Sequence, residues 1–159
     1  MGAGGQRPDY VYVASSWRCA MQPAVIYALK AAGIEAYDFR NPPNGAGFGW
    51  GEIMPSFDID EQSADAKEYL AALDHPRGIE GFNSDFAAMQ RADTFVLVLP
   101  CGRSAHLELG WAVGAGKRTA ILLDPDPDTN TITPELMYKM VDHIALDAFD
   151  LLGWLGVED

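Results

Sequence analysis

Two acidic side chains, Glu108 and Asp85, stand in stretches that otherwise have an apolar helical pattern. The helical neighbours of Glu108 at i−3, i+3, i+4 and i+7 are all apolar: Ala105, Trp111, Ala112 and Ala115. Asp85 lies between Phe82 and Met89, at apolar positions of its own helix. A carboxylate on an apolar face needs partners or a function. Two carboxylates with different pKa values can break a glycosidic bond, since one attacks or stabilises the sugar carbon while the other handles a proton.

Both acids also have possible structural roles. Ser104 is the predicted N-cap of the helix "AHLELGWAVGAG", so a capping-box acid would fall at Leu107, one residue before Glu108. Glu108 could instead be a first-turn acid that interacts with the helix dipole. Asp85 alone is as consistent with a surface acid as with a catalytic one.

Other nucleophiles and metal sites are less well supported. Cys101 and His106 straddle a predicted strand–helix turn without an obvious third group to orient them. Ser104 lacks the Gly-x-Ser-x-Gly elbow of hydrolases. The glycine-rich "GAGFGWG" does not lie between the first strand and its helix, as a nucleotide loop would. The three histidines have no metal-ligand spacing, so we expect no metal site.

The composition of the chain limits the classes of molecule that it can bind. The chain has 159 residues, 48% of them hydrophobic, and a net charge of −12, which disfavours long nucleic acids and anionic membranes but allows small ligands. No apolar run approaches the roughly 18 residues that span a bilayer. Residues 1–9 read as a flexible lead-in, with one domain over 10–159. Two cysteines without a framework indicate a reducing, cytoplasmic location.

Strand and helix patterns alternate along the chain. The predicted strands are "YVYVAS", "IEAYDF", "TFVLVLP", "RTAILLD" and "HIALD". The predicted helices are residues 19–32, "SADAKEYLAALDHP" up to its proline, "GIEGFNSDFAAMQRAD", "AHLELGWAVGAG", "TPELMYKMVD" and "AFDLLGWL". This alternation predicts an α/β, single-domain, three-layer flavodoxin-like fold with a parallel sheet of about five strands.

Three unusual segments follow the first three strands. In such sheets ligands bind at the carboxyl ends of the strands, so we expect the segments to converge on one site. The segment after the second strand contains a Pro/Gly-rich loop with two aromatic residues, which favours a binding loop over a surface excursion. The predicted binding residues are Ser15, Ser16, Trp17, Arg40, Phe48, Trp50, Gly102, Arg103 and Ser104.

Three motifs together resemble the nucleoside 2-deoxyribosyltransferase family, including its nucleotide N-hydrolase branch. "VYVASSWR" is similar to that family's first strand and substrate loop, "NSDFAAMQRAD" to its base-contacting helix, and "GRSAHLELGWAVGAGK" to its nucleophile helix. The resemblance implies a nucleophilic Glu108, an Asp85 that contacts the base or its leaving nitrogen, and a Tyr12 that positions Glu108. It also implies a covalent glycosyl-enzyme and no cofactor.

The resemblance further implies a homo-oligomer in which one subunit completes its neighbour's site. The segment "PELMYK" lies where that contribution would come from, which makes Glu135, Met137 and Tyr138 candidates. Ordinary helix packing is the alternative for Met137 and Tyr138.

The sequence departs from the family at the position six residues before the nucleophile. Transferases often have a base-reading acid there and nucleotide hydrolases a small hydroxyl residue, whereas this chain has Gly102. Arg103 and the helix N-terminus could hold a 5′-phosphate instead. The expected substrate is therefore a nucleoside or a nucleoside 5′-monophosphate. The alternative is a catalytically idle nucleotide-binding module that senses its ligand.

Overall fold

The structure, a computed structural model, describes residues 5–45 and 47–157. The chain divides into two compact units, one of residues up to 38 and from 91 onward, the other of residues 39–90. Within the described residues, no helix is both long and apolar enough to cross a membrane.

The larger unit is built on a parallel sheet of five strands. The strands are β1 (Tyr10–Ala14), β2 (Glu35–Tyr37), β3 (Thr94–Val98), β4 (Arg118–Leu122) and β5 (His143–Ala145), in the order β2-β1-β3-β4-β5. Every residue of β1 and β3 is buried. Their unbroken apolar runs suit central strands that are covered on both faces.

Helices of the larger unit cover both faces of this sheet. They are α1 (Gln22–Ala31), α4 (Arg103–Gly114) and α5 (Ala148–Trp154), with α2 (Ala66–Leu73) and α3 (Pro76–Arg91) between them in the chain. One face packs against α1 and α5 through a single hydrophobic core: Val11, Val13, Val25, Ile26, Leu29, Val96, Val98, Leu151 and Leu155. On the other face, Phe95 of β3 contacts Trp111 of α4. The predicted three-layer α/β fold with five parallel strands is confirmed.

Several element boundaries differ from the sequence prediction. Helix α1 begins at Gln22 instead of residue 19, because the backbone N–H of Cys19 bonds to the carbonyl of Ser16 in a preceding turn. The helix predicted over "TPELMYKMVD" is only a 3₁₀ segment, Leu136–Met140, which begins where the Glu135 carboxylate accepts from the N–H of Met137. A second 3₁₀ turn, Trp50–Glu52, lies in the predicted binding loop.

The described part of the lead-in makes several contacts within the larger unit. Arg118 donates to the carbonyl of Gln6, Arg7 donates to the carbonyl of Ala32, and the N–H of Asp9 donates to Asp93 at 2.7 Å. Residues 1–4 lie outside the described residues. The flexible lead-in over 1–9 and the single domain over 10–159 stay predictions.

Candidate active site

The carboxyl ends of β1 and β3 form the point at which the sheet topology reverses. The chain leaves β1 through α1 on one face and leaves β3 through α4 on the other, and open α/β sheets place ligand crevices at such a point. The Ser15 hydroxyl donates to the carbonyl of Val98 at 2.8 Å, and the Cys19 thiol donates to the carbonyl of Leu99 at 3.5 Å. The loop after β1 is thereby fastened to the end of β3.

The same loop presents Ser16 and Trp17 at this edge. The Ser16 hydroxyl accepts from the N–H of Arg18 at 3.2 Å, which forms a tight turn. Trp17 exposes 57% of its surface at that turn. An exposed indole on a fixed turn offers a flat surface on which a ring can stack.

Helix α4 begins at the same edge without a side-chain cap. Its N-cap residue is Gly102 in an extended conformation, so the prediction of Ser104 as N-cap is wrong, and Ser104 is the second residue of the helix. Gly102, Arg103 and Ser104 are all exposed. Uncapped N–H groups beside a guanidinium make this helix start chemically suited to an anion.

Glu108 occupies the second turn of α4. It is the sixth residue of the helix, and the first turn contains no acid, so the first-turn explanation of this carboxylate is wrong. The helix-dipole interaction falls off within the first turn. Ala105, Leu109 and Ala112, which surround it on the helix, are buried, and Glu108 itself is half-buried. The structure therefore places a half-buried carboxylate among buried apolar residues in the second turn of α4.

Tyr12 lies in a row of aromatic rings on the face of the sheet that α4 covers. It is 1% exposed and stacks on Tyr37 at 5.2 Å and on Phe95 at 4.9 Å between ring centroids. Phe95 in turn contacts Trp111 at 6.1 Å, and Trp111 lies one helical turn beyond Glu108. The sheet therefore places Tyr12 on the same side as α4.

Cys101 and His106 lie close together, but their geometry does not activate the thiol. The Cys101 sulfur is 3.6 Å from Nδ1 of His106, and Nδ1 is 2.7 Å from the carbonyl of Gly102. A carbonyl only accepts, so Nδ1 carries a hydrogen, while Nε2 lies 2.7 Å from the Tyr138 hydroxyl oxygen. An Nδ1 that already carries a proton cannot take one from the thiol.

The electrostatic surroundings of Cys101 lead to the same conclusion. Burial raises the pKa of its thiol to about 12, with smaller contributions from Cys19 and Glu108. A thiol with this pKa remains protonated at neutral pH, and the thiol form is not the nucleophile. Cys101 is therefore not an activated nucleophile.

The smaller unit contains the other predicted site residues, Asp85 among them. Asp85 is half-buried on α3, next to Phe86, whose ring stacks on Phe82 at 5.3 Å. Arg40 is half-buried just after β2. Because Glu108 belongs to the larger unit, the pairing of the two acids stays a prediction.

The aromatic loop of the smaller unit is anchored by its own contacts. Phe48 and Trp50 pack edge to face at 4.9 Å, and Trp50 contacts Tyr69 of α2 at 5.8 Å. Arg77 of α3 lies over the Phe48 ring and forms an ion pair with Glu52 at 3.0 Å. The two aromatic rings are thus part of a packed cluster.

A pocket of about 710 Å³ lies between α4 and the segment before β5. Met137 and Glu135 line it, together with Cys101, His106 and Tyr138. Glu135 already has a structural role, since its carboxylate caps the 3₁₀ segment. Sequence reasoning did not anticipate the pocket, because its walls come from four separate stretches of chain.

Metal ligands do not cluster in the part of the chain that the structure describes: no group of three or more His, Cys, Asp or Glu residues could hold a metal ion there.

Comparison with known proteins gives a structural match. No family model and no curated protein matches the sequence. The fold is similar to the solved structure of a 2-deoxyribosyltransferase from the psychrotolerant bacterium Bacillus psychrosaccharolyticus, with a TM-score of 0.55 and 15% identity over 89% of each chain. The chain therefore has the fold of that enzyme, in agreement with the family that its three sequence motifs resemble.

Proposed function

We propose that this protein cleaves or exchanges the N-glycosidic bond of a (deoxy)ribonucleoside or of its 5′-monophosphate. The observation that carries the proposal is the position of Glu108. It is a half-buried carboxylate in the second turn of α4, and it follows the end of β3, where such folds bind ligands. The similarity in fold to a 2-deoxyribosyltransferase supports the same reaction class.

In the proposed first step, a Glu108 carboxylate oxygen attacks C1′ of the sugar. The bond between C1′ and the base nitrogen breaks, and its electron pair leaves with the base. Asp85 protonates or orients that nitrogen. The product is a glycosyl ester of Glu108 and a free base.

In the second step, an acceptor attacks C1′, the bond between C1′ and the Glu108 oxygen breaks to restore the free carboxylate, and the proton that the acceptor loses passes to Asp85. A nitrogen of a second base would make the enzyme a transferase, and water would make it a hydrolase. Tyr12 positions Glu108 through a hydrogen bond; its location on the α4 side of the sheet, within a rigid row of rings, supports this role. No step in this scheme uses a metal or an organic cofactor.

Substrate binding in this proposal uses the edge of the sheet and the aromatic loop. Ser15, Ser16 and Trp17 contact the sugar and base, and Arg103 with the start of α4 holds a 5′-phosphate where one is present. Arg40, Phe48 and Trp50 of the smaller unit are the further residues that we propose to contact the base. Met137 completes the site of a second subunit in a cytoplasmic homo-oligomer.

The test measures release of free base by chromatography. Ribonucleosides, deoxyribonucleosides and their 5′-monophosphates are each incubated with the protein, with and without an acceptor base. We expect release from at least one of them, and a requirement for the acceptor would identify a transferase. Failure to release base across the panel would contradict the proposal and favour an idle sensing module.

The Glu108→Gln variant then tests the nucleophile. Substituting a nucleophile of this kind lowers turnover by about 10⁴-fold or more, while substrate binding measured by calorimetry should persist. Intact-mass spectrometry of the wild-type protein after quenching should reveal a pentosyl adduct that the variant lacks. Glu61→Gln, which alters an exposed carboxylate of the smaller unit, is the matched control. Turnover that survived in Glu108→Gln would exclude Glu108 as the nucleophile.

A further inference from the structure

The 710 Å³ pocket lies on the face of α4 that points away from the proposed nucleophile. His106, Leu109, Gly110 and Val113 line it, whereas Glu108 does not. Successive residues of a helix turn by roughly 100°, which places these four on one side and Glu108 with Trp111 on the other. The reaction proposed above thus leaves this cavity unexplained.

The pocket has the size and composition of a small-molecule site. Sites of this kind measure roughly 300–1,000 Å³ and combine an apolar lining with a few polar groups. The apolar lining residues are Leu99, Pro100, Leu109, Val113, Leu123, Ile132, Met137, Met140 and Val141. Two of these are methionines, whose unbranched side chains adapt to the shape of a ligand.

The charges on the lining are all negative. Asp124 and Glu135 supply two exposed carboxylates, and the lining contains no lysine or arginine. His106 engages Gly102 and Tyr138 through its two ring nitrogens, and the thiol of Cys101 stays protonated because burial raises its pKa. An apolar cavity with only acidic charges is complementary to an apolar cation.

We propose that this pocket binds a small organic cation, an apolar ring system that carries an amine. The ring lies against Leu109, Met140 and Val141, and the ammonium group faces Asp124 and Glu135. Apart from Met137, which the proposed function assigns to the site of a second subunit, the pocket shares no residue with the proposed glycosidic site, and this proposal does not depend on the proposed function.

Calorimetry with two probes of equal ring size tests the charge preference. Titrations of the full chain at pH 7 use 1-naphthylmethylamine, which is a cation at this pH, and 1-naphthoate, which is an anion. We expect the amine to bind at least about tenfold more tightly, because each carboxylate attracts the ammonium and repels the carboxylate probe. Equal binding of the two probes, or no binding of the amine, would overturn the proposal.

Two glycine substitutions on α4 locate the site. A Cβ added at Gly110 or at Gly114 meets no atom within 4 Å, but only Gly110 lines the pocket. Gly110→Leu should weaken amine binding by about tenfold or more by filling the cavity, whereas Gly114→Leu should leave it unchanged. Both substitutions remove a helical glycine, so stability should not fall. Equal effects of the two variants would place the amine elsewhere.

Neutralising the carboxylates tests their role. Glu135→Gln keeps an oxygen that can cap the 3₁₀ segment, and Asp124→Asn keeps the shape of the side chain. Each change should weaken amine binding about two- to fivefold, the range typical of exposed ion pairs, and the effect should shrink in high salt. Affinity that is unchanged in the double variant would refute the proposed recognition.

Discussion

The rate at which Cys101 is alkylated tests quantitatively whether its raised pKa excludes it as a nucleophile. Burial raises the pKa of Cys101 to about 12 from an ordinary 9.0. At pH 8, a thiol with a pKa of 9 is about one-tenth thiolate, whereas one with a pKa of 12 is about one ten-thousandth thiolate. Because only the thiolate is alkylated, Cys101 should react about a thousandfold more slowly than an unperturbed thiol.

The measurement uses iodoacetamide and a Cys19→Ala variant, in which Cys101 is the remaining cysteine. Peptide mass spectrometry follows alkylation from pH 7 to pH 10. The raised pKa means that the thiolate fraction, and with it the rate, should increase tenfold per pH unit throughout, without a plateau. An unperturbed thiol would instead level off above about pH 9.

The same variant unfolded in urea is the internal control, since unfolding removes the burial that suppresses the thiolate. Its rate at pH 8 should match that of a free thiol. A folded protein that reacted as fast as the unfolded one, or whose rate levelled off below pH 10, would refute the reasoning. It would also restore Cys101 with His106 as a candidate nucleophile. The proposed mechanism does not use Cys101, so the Cys101→Ser variant should retain turnover. This variant is a cleaner comparison than alkylated protein, because an adduct on Cys101 can itself block access to Glu108.

Three further predictions concern stability, each measured by urea or thermal unfolding. Leu151→Ala should lower the free energy of unfolding by about 2–5 kcal/mol, because this fully buried side chain joins α5 to the sheet core; a loss below about 1 kcal/mol would contradict the packing. Asp65→Ala should cost about 1 kcal/mol, because its carboxylate accepts from two N–H groups in the first turn of α2, both at 3.0 Å; Asp60→Ala, outside any helix, is the control. Gly33→Ala should lower the free energy of unfolding, because φ is +74° at this residue. Gly110→Ala, in open space within α4, should raise the free energy of unfolding by up to about 1 kcal/mol. Effects of the same sign in the two variants would contradict this explanation from backbone conformation.

Local patterns predicted the elements of the fold well and their ends less well. The apolar runs around Val96 and Ile121 identify buried parallel strands, since a strand covered on both faces carries apolar residues throughout. The N-cap of α4 was placed two residues too late, at Ser104 instead of Gly102, because a serine is a strong cap signal wherever it occurs. That shift changed the explanation of Glu108: an acid assigned near the first turn lies in the second.

Contacts between distant segments had no comparable signal. Tyr12, Tyr37 and Phe95 come from three strands, and only the parallel register stacks their rings into one row. The hydrogen bond between His106 and Tyr138 likewise joins residues 32 positions apart and closes one wall of the pocket. Each residue is a candidate within its own segment, but no local pattern pairs the two with each other.

The sequence by itself determined the order of strands and helices, the identity of the candidate nucleophile and the family that its motifs resemble. The order of elements depends on periodicity, which acts over one helical turn or one strand, whereas the family resemblance depends on three short motifs. The tertiary structure decided that the thiol of Cys101 is buried with a raised pKa, that the aromatic loop is packed, and that a pocket with two carboxylates lies beside α4. Burial, ring stacking and cavity shape arise only when remote segments pack together, so they belong to the folded chain and not to any stretch of it.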